Sequence, residues 1–138
     1  MLTRSLAALA AAGALLASPA IAATNSQVIA KGEAKLAHTL EGYTAGEPVR
    51  CLPFSRIYST QIIDGTAILY KSGRRIYVNR PEIGASSLRN DQILVTKMFG
   101  SQLCDIDTVN LVDRNSRFWN GFVGLGEFVP YTKAEKHD

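Results

Sequence analysis

The residues able to do chemistry are concentrated in the second half of the chain. Asp105 and Asp107, with Asp113 nearby, form the densest acidic group. Paired carboxylates can hold a hard cation or divide general acid and general base roles between them. A calcium loop would add a glycine and a terminal glutamate at fixed positions, and neither stands there. Asp105 and Asp107 therefore read first as solvated turn residues, with a metal site as the lesser alternative. Asp64 and Glu127 complete the carboxylates weighed for acid–base work, and Asp64 already has a role in an Asp-Gly turn.

The second group mixes cations with aromatics: Arg114, Arg117, Phe118, Trp119 and Phe122. Tryptophan, tyrosine and arginine are the usual anchors of binding surfaces, so this stretch suits a glycan, a peptide or an anionic envelope component. Packing is the competing use: Phe118 and Phe122 would close the end of a barrel and Trp119 would cover it. Tyr70, Tyr77 and Arg75 share the mixed face of an expected hairpin, and cross-strand packing competes with recognition there too. The candidate ligand surface is Arg114, Arg117, Trp119, Tyr70 and Tyr77. No G-x-S-x-G elbow is present, and His38 and His137 stand alone. No cofactor is implied.

These groups must be positioned by a sheet. Residues 57–79 hold three apolar, β-rich runs separated by Asp64-Gly65 and Ser72-Gly73. Both dipeptides signal tight hairpins, because glycine accepts positive φ at no steric cost. Two-residue loops would set Ile63 opposite Thr66, Ile62 opposite Ala67, and Leu69 opposite Ile76. Tyr58, Thr60, Ile62, Ala67, Leu69, Ile76 and Val78 would then form one apolar face. Ile57, Ser59, Gln61, Ile63, Ile68, Tyr70, Arg75, Tyr77 and Asn79 would form a mixed, half-covered one.

The front of the chain reads as an export signal. Arg4 supplies a positive charge, residues 6–16 are Ala, Leu and Gly, and Ala20-Ile21-Ala22 forms an A-x-A cleavage signal after Pro19. Residues 1–22 are expected to be a signal peptide, leaving 23–138 as a single domain with no membrane span. Removing Arg4 leaves 14 lysines and arginines against 12 acids, a formal charge of +2. That is too mild and too evenly spread for nucleic acid.

A helix is predicted over 25–40, with Ile29, Leu36, Ala37 and Leu40 near one face, Gly32 weakening it and Gly42 ending it. Residues 43–48 read as a turn-rich connection and 49–52 as an extended segment ended by Pro53. Residues 80–91 read as a loop with one helical turn at 85–89, and 92–99 as a strand. Residues 103–113 read as a strand kinked near Asp107, 114–124 as a loop, and 126–131 as an edge strand, where Pro130 confines it.

Cys51 and Cys104 are the only cysteines. An even count in an exported chain argues for a disulfide. Closing the long loop around the hairpins would contribute at most about 4 kcal/mol.

The runs CLPFSRIYST (51–60), IDGTAILY (63–70), RIYVN (75–79), LCDIDTV (103–109) and LGEFVPY (125–131) resemble, in that order, a family of small exported bacterial proteins of unknown function. The resemblance implies a cysteine-stapled, β-rich domain and no activity. That family often carries two further cysteines, which would fall near Ala85 and Val123 and are absent here.

The fold expected is mainly β (α+β): an N-terminal helix on a five- or six-stranded antiparallel sheet, strongly curved or closed into a small barrel. The function expected is a non-catalytic periplasmic or secreted binding or accessory module, its partner an envelope protein, glycan or small molecule. One alternative is a small hydrolase- or isomerase-like enzyme with a carboxylate pair. The other is a structural envelope protein associating through a strand edge.

Overall fold

The structure, a computed structural model, describes residues 13–14 and 20–135. Most of the expected signal peptide, residues 1–22, lies outside the described residues. Helix α1 spans Ala20–Thr39 and so starts five residues before the expected 25. The alanines at 20, 22 and 23 are strong helix formers and let the helix extend upstream.

Strands follow in chain order: β1 Tyr43–Ala45, β2 Cys51–Pro53, β3 Ser59–Ile63, β4 Ala67–Ser72, β5 Arg75–Asn79, β6 Gln92–Thr96, β7 Gln102–Cys104, β8 Thr108–Asp113, β9 Trp119–Gly124 and β10 Phe128–Lys133. Single 3-10 turns occupy Phe54–Arg56 and Ala85–Ser87. All strand pairs are antiparallel. They form a five-stranded sheet in the order β1-β10-β5-β4-β3, a three-stranded sheet β6-β8-β9, and a two-stranded ribbon β2-β7. The helix on a five-stranded antiparallel sheet is as expected. The remaining strands form two smaller sheets, and no barrel closes among the described residues.

The hairpin turns lie where the dipeptides placed them, but their registers differ. Ile63 pairs with Ala67 and Ile62 with Ile68, so the first loop has three residues, 64–66. Thr66 belongs to the turn: its N–H donates to Ile63 O at 3.0 Å and its hydroxyl to Asp64 O at 2.9 Å. This one-residue slip turns β3 over. In the second hairpin Ser72 pairs with Arg75, which makes Gly73-Arg74 the loop. That slip is of two residues and preserves the faces. Gly65 and Gly73 take φ of +61° and +59°, as the turns require.

Both faces of the large sheet are core. One packs Ile63, Ala67, Leu69, Ile76 and Val78 under Leu36 of α1. The other joins Ile62, Ile68, Tyr70 and Phe128 to Leu52 and Leu103 of the ribbon and to Val109, Leu111 and Val123 of the three-stranded sheet. Of the expected mixed face, Ile68, Tyr70 and Asn79 are therefore buried in this second core, while Ile63 has moved to the face under α1. Asn79 satisfies both ends of its amide on Gly126, donating to the carbonyl at 2.7 Å and accepting the N–H at 3.1 Å.

Helix α1 docks through Val28, Gly32, Leu36 and Leu40, while Ile29 and Ala37 of the expected face are exposed. Gly32 sets this orientation. A Cβ there would lie 1.9 Å from Thr66 Oγ1 and 2.8 Å from Asp64 O, so the helix can approach the turn only with glycine facing it. Arg80 forks onto Glu33 with both guanidinium arms and ties the helix to the end of β5.

Two further corrections concern the C-terminal third. Residues 119–124, expected as loop, form β9, with a register shift opposite Asn110 and Val112. β10, expected at an edge, lies between β1 and β5. Pro130 is tolerated because the outer ladder is irregular there. Gly46 N–H reaches Pro130 O at 2.7 Å, and pairing resumes only at Val49, whose N–H and O both bond Phe128.

Candidate functional site

The aspartates of the first candidate group are used structurally. Asp105 accepts Arg50 Nε at 2.9 Å, and Asp107 accepts the Cys104 N–H at 2.7 Å. Asp64 accepts the Asn90 N–H at 2.7 Å. Among the described residues, no group of three or more His, Cys, Asp and Glu side chains converges as a metal site would. His38 lies exposed on α1, 3.3 Å from Glu41.

Asp113 builds the turn that carries the arginines. Its Oδ1 accepts the Ser116 N–H at 2.7 Å, the Ser116 hydroxyl at 2.9 Å and the Asn115 N–H at 2.9 Å. The Arg117 N–H donates to Asp113 O, and the Asp113 N–H to Phe118 O, each at 2.9 Å. The Ser116 donors, its backbone N–H first, hold the Asp113 carboxyl below the ordinary carboxylate range. Arg117 sits at φ +64°, the one non-glycine residue at positive φ among the described residues. The turn thus holds Arg114 and Arg117 in fixed backbone positions.

Both arginines line a cleft of about 550 Å³. Its walls are β3, the outer strand of the five-stranded sheet, and β6, the outer strand of the three-stranded sheet. Thr60 and Gln61 line one side, Asn90 and Gln92 the other, and Lys35 of α1 completes the rim. Gln92 is pinned, accepting the Arg89 N–H at 2.8 Å and donating to Ser87 O at 3.0 Å. Among the described residues no carboxylate lines the cleft. The side chains of Lys35, Arg114 and Arg117 make no hydrogen bond or ion pair among the described residues. Three cations whose side chains have no partner stand over amides, a hydroxyl and the aliphatic side chains of Ile62, Ile93 and Leu94, chemistry that suits an anion, and two outer strands add backbone groups for hydrogen bonding.

Trp119 lies on the sheet surface leading away from this cleft. Ile93, which lines it, pairs with Val112, and Val112 pairs with Trp119, so the three share a face across β6, β8 and β9. Trp119 is 65% exposed and its Nε1 donates to Asn110 Oδ1 at 3.2 Å. Phe122 and Val95 are exposed on the same face. Phe118, one of the aromatics read as closing a barrel end, is 75% exposed.

The remaining candidates lie elsewhere. Tyr70 is 2% exposed, packed edge-on against Phe128 at 5.8 Å, and therefore cannot belong to a ligand surface. Tyr77 lines a different cleft with Arg56, Arg74 and Arg75. Lys35 was missed in the sequence because only docking of α1 brings it beside the arginine turn.

Cys51 and Cys104 pair opposite each other on β2 and β7 and form the expected disulfide, 53 residues apart in sequence. Among the described residues no helix is long and apolar enough to cross a membrane. The disulfide is consistent with an extracellular or periplasmic protein. Comparison with protein-family models, with curated proteins and with solved structures finds no match.

Proposed function

We propose that this chain is a non-catalytic periplasmic or secreted binding module that takes an acidic glycan in the cleft between β3 and β6. The observation that carries the reading is the convergence of Lys35, Arg114 and Arg117 on a cleft without a carboxylate. Amide and hydroxyl linings suit the hydroxyls of a sugar, and the exposed Trp119 and Phe122 beside the cleft suit its apolar face. Acid–base catalysis by a carboxylate pair has little to use here, because Asp64, Asp105 and Asp107 are engaged in structural bonds.

The same reading keeps the chain with the small exported proteins it resembles. The segments near Ala85 and Val123, where that family carries further cysteines, adjoin each other. Ile83 bridges Gly124, and a Cβ on Gly84 would lie 3.5 Å from the Val123 Cα.

Isothermal titration with tetragalacturonate and with neutral maltotetraose tests the proposal. The acidic oligomer should bind and weaken as salt screens the contacts, while the neutral one should not bind. Replacing Arg114 and Arg117 by alanine should weaken binding about tenfold or more, since a hydrogen bond to a charged group contributes about 1.5–3 kcal/mol. Equal binding of the neutral oligomer would refute the reading.

A further inference from the structure

We infer that a second cleft, sharing no residue with the first, is a binding site for a small anionic amphiphile: a carboxylate on an apolar chain or ring. This cleft encloses about 540 Å³ where the tip of the β4–β5 hairpin faces β2 and the 3-10 turn after it. Its lower surface continues the core. Tyr70 pairs with Tyr77 and Ser72 with Arg75, so one sheet face passes from buried Tyr70 to half-buried Tyr77 and out to Arg75 at the rim. Leu52, Pro53 and Ile57 face it from the other side. That wall is held firmly: the Cys51–Cys104 bridge adjoins Leu52, and the Phe54 N–H donates to Ser101 O at 3.1 Å.

Three arginines rim the apolar interior: Arg56, Arg74 and Arg75. Among the described residues Glu135 is the one carboxylate that pairs with any of them, 3.8 Å from Arg74. The side chains of Arg56 and Arg75 make no ion pair or hydrogen bond among the described residues. A guanidinium fork matches a carboxylate in two parallel bonds. The floor of Leu52, Ile57 and the Tyr77 ring offers a sugar few hydrogen bonds but offers hydrocarbon a place out of water. Charge recruits the ligand, and the floor sets how tightly each homologue is held. Each added methylene should tighten binding by about two- to fourfold while it remains inside.

The test uses the oxidised protein and a series of acetate, hexanoate, octanoate and decanoate below their aggregation concentrations, followed by amide chemical shifts. Affinity should climb along the series, with the shifts clustered at residues 52–57 and 72–77. Replacing Arg56 and Arg75 together by alanine should weaken octanoate about tenfold or more. Both side chains are exposed, so an unchanged melting temperature will show that the fold is kept. The R114A/R117A protein should bind octanoate as the parent does, and octanol should bind more weakly than octanoate. Affinity independent of chain length, octanoate binding unchanged by R56A/R75A, or octanol binding as tightly as octanoate would each overturn the assignment.

Discussion

Three cations rim each of two clefts, but Lys35, Arg114 and Arg117 stand over a lining in which amides and a hydroxyl accompany Ile62, Ile93 and Leu94, whereas Arg56, Arg74 and Arg75 stand over a more apolar one, Leu52, Pro53, Ile57 and Tyr77 with the hydroxyls of Ser72 and Thr132. On the two proposals, the same charge would serve different ligands because exposed ion pairs contribute little on their own. The floor decides, and the floor follows from where each cleft lies. The first opens between the outer strands of two sheets, where side chains point to solvent. The second opens where the core face of one sheet runs out from under its cover. Their supports differ as well. The first depends on helix docking and an aspartate-capped turn, the second on a disulfide-bonded ribbon.

Removing the disulfide should separate the two most sharply. The C51S/C104S protein should lose up to about 4 kcal/mol in urea unfolding, the loop-closure contribution for a loop of this length. Below its unfolding midpoint it should bind octanoate more weakly, because β2 forms a wall of the second cleft, and bind tetragalacturonate as before. The next largest effect belongs to Gly32→Val. Its Cβ would overlap Thr66 Oγ1 and press on the Asp64 carbonyl, so α1 must shift at a cost of about 1–3 kcal/mol. Lys35 moves with the helix, so thermal melting and uronate binding should fall together while octanoate binding holds.

These two variants also mark how far the sequence was readable. The cysteine pair was legible because counting needs no geometry. Gly32 read as a flaw in a helix, since its reason is a neighbour 34 residues away along the chain, Thr66. The turns at Gly65 and Gly73 were legible too, but adjacent Ile62 and Ile63 satisfy either face of β3, so alternation could not choose the register. The unbroken apolar run at 67–70 was the available signal that β4 is buried on both sides. In β9, Asn120-Gly121 resembles a turn, whereas Gly121 sits at φ +108° beside a register shift within the strand. Arg114, Arg117 and Trp119 suggested a recognition surface by composition, with packing as the competing use. Their partner Lys35, and the gathering of Arg56 with Arg74 and Arg75, depend on tertiary contacts that no spacing encodes.

Smaller effects should leave both clefts intact and so calibrate the comparison. Tyr70 Oη is buried with no hydrogen-bond partner among the described residues, and burial raises its pKa above that of an ordinary phenol. Tyr70→Phe should therefore stabilise the protein by about 1 kcal/mol in urea unfolding, without changing binding at either cleft. The Glu33–Arg80 pair should contribute least. The Arg80 hydrogen bond, partly opposed by desolvation, holds the Glu33 carboxyl below the ordinary carboxylate range. A depressed carboxyl stabilises the fold above its unfolded pKa, and that stability is lost as pH falls through the folded value. Both side chains are about half exposed, so the amount is below about 1 kcal/mol. Melting temperatures of Glu33→Gln and parent should differ at pH 7 and converge at acid pH.

Trp119 is the only tryptophan and lies on the face that leads from the first cleft, so its fluorescence during a tetragalacturonate titration reads the central claim directly. The parent and R56A/R75A proteins should show the same saturable change, and R114A/R117A should show little at equal ligand. Equal loss in both double variants would reduce the cleft to general surface charge, and no loss in either would place the ligand elsewhere.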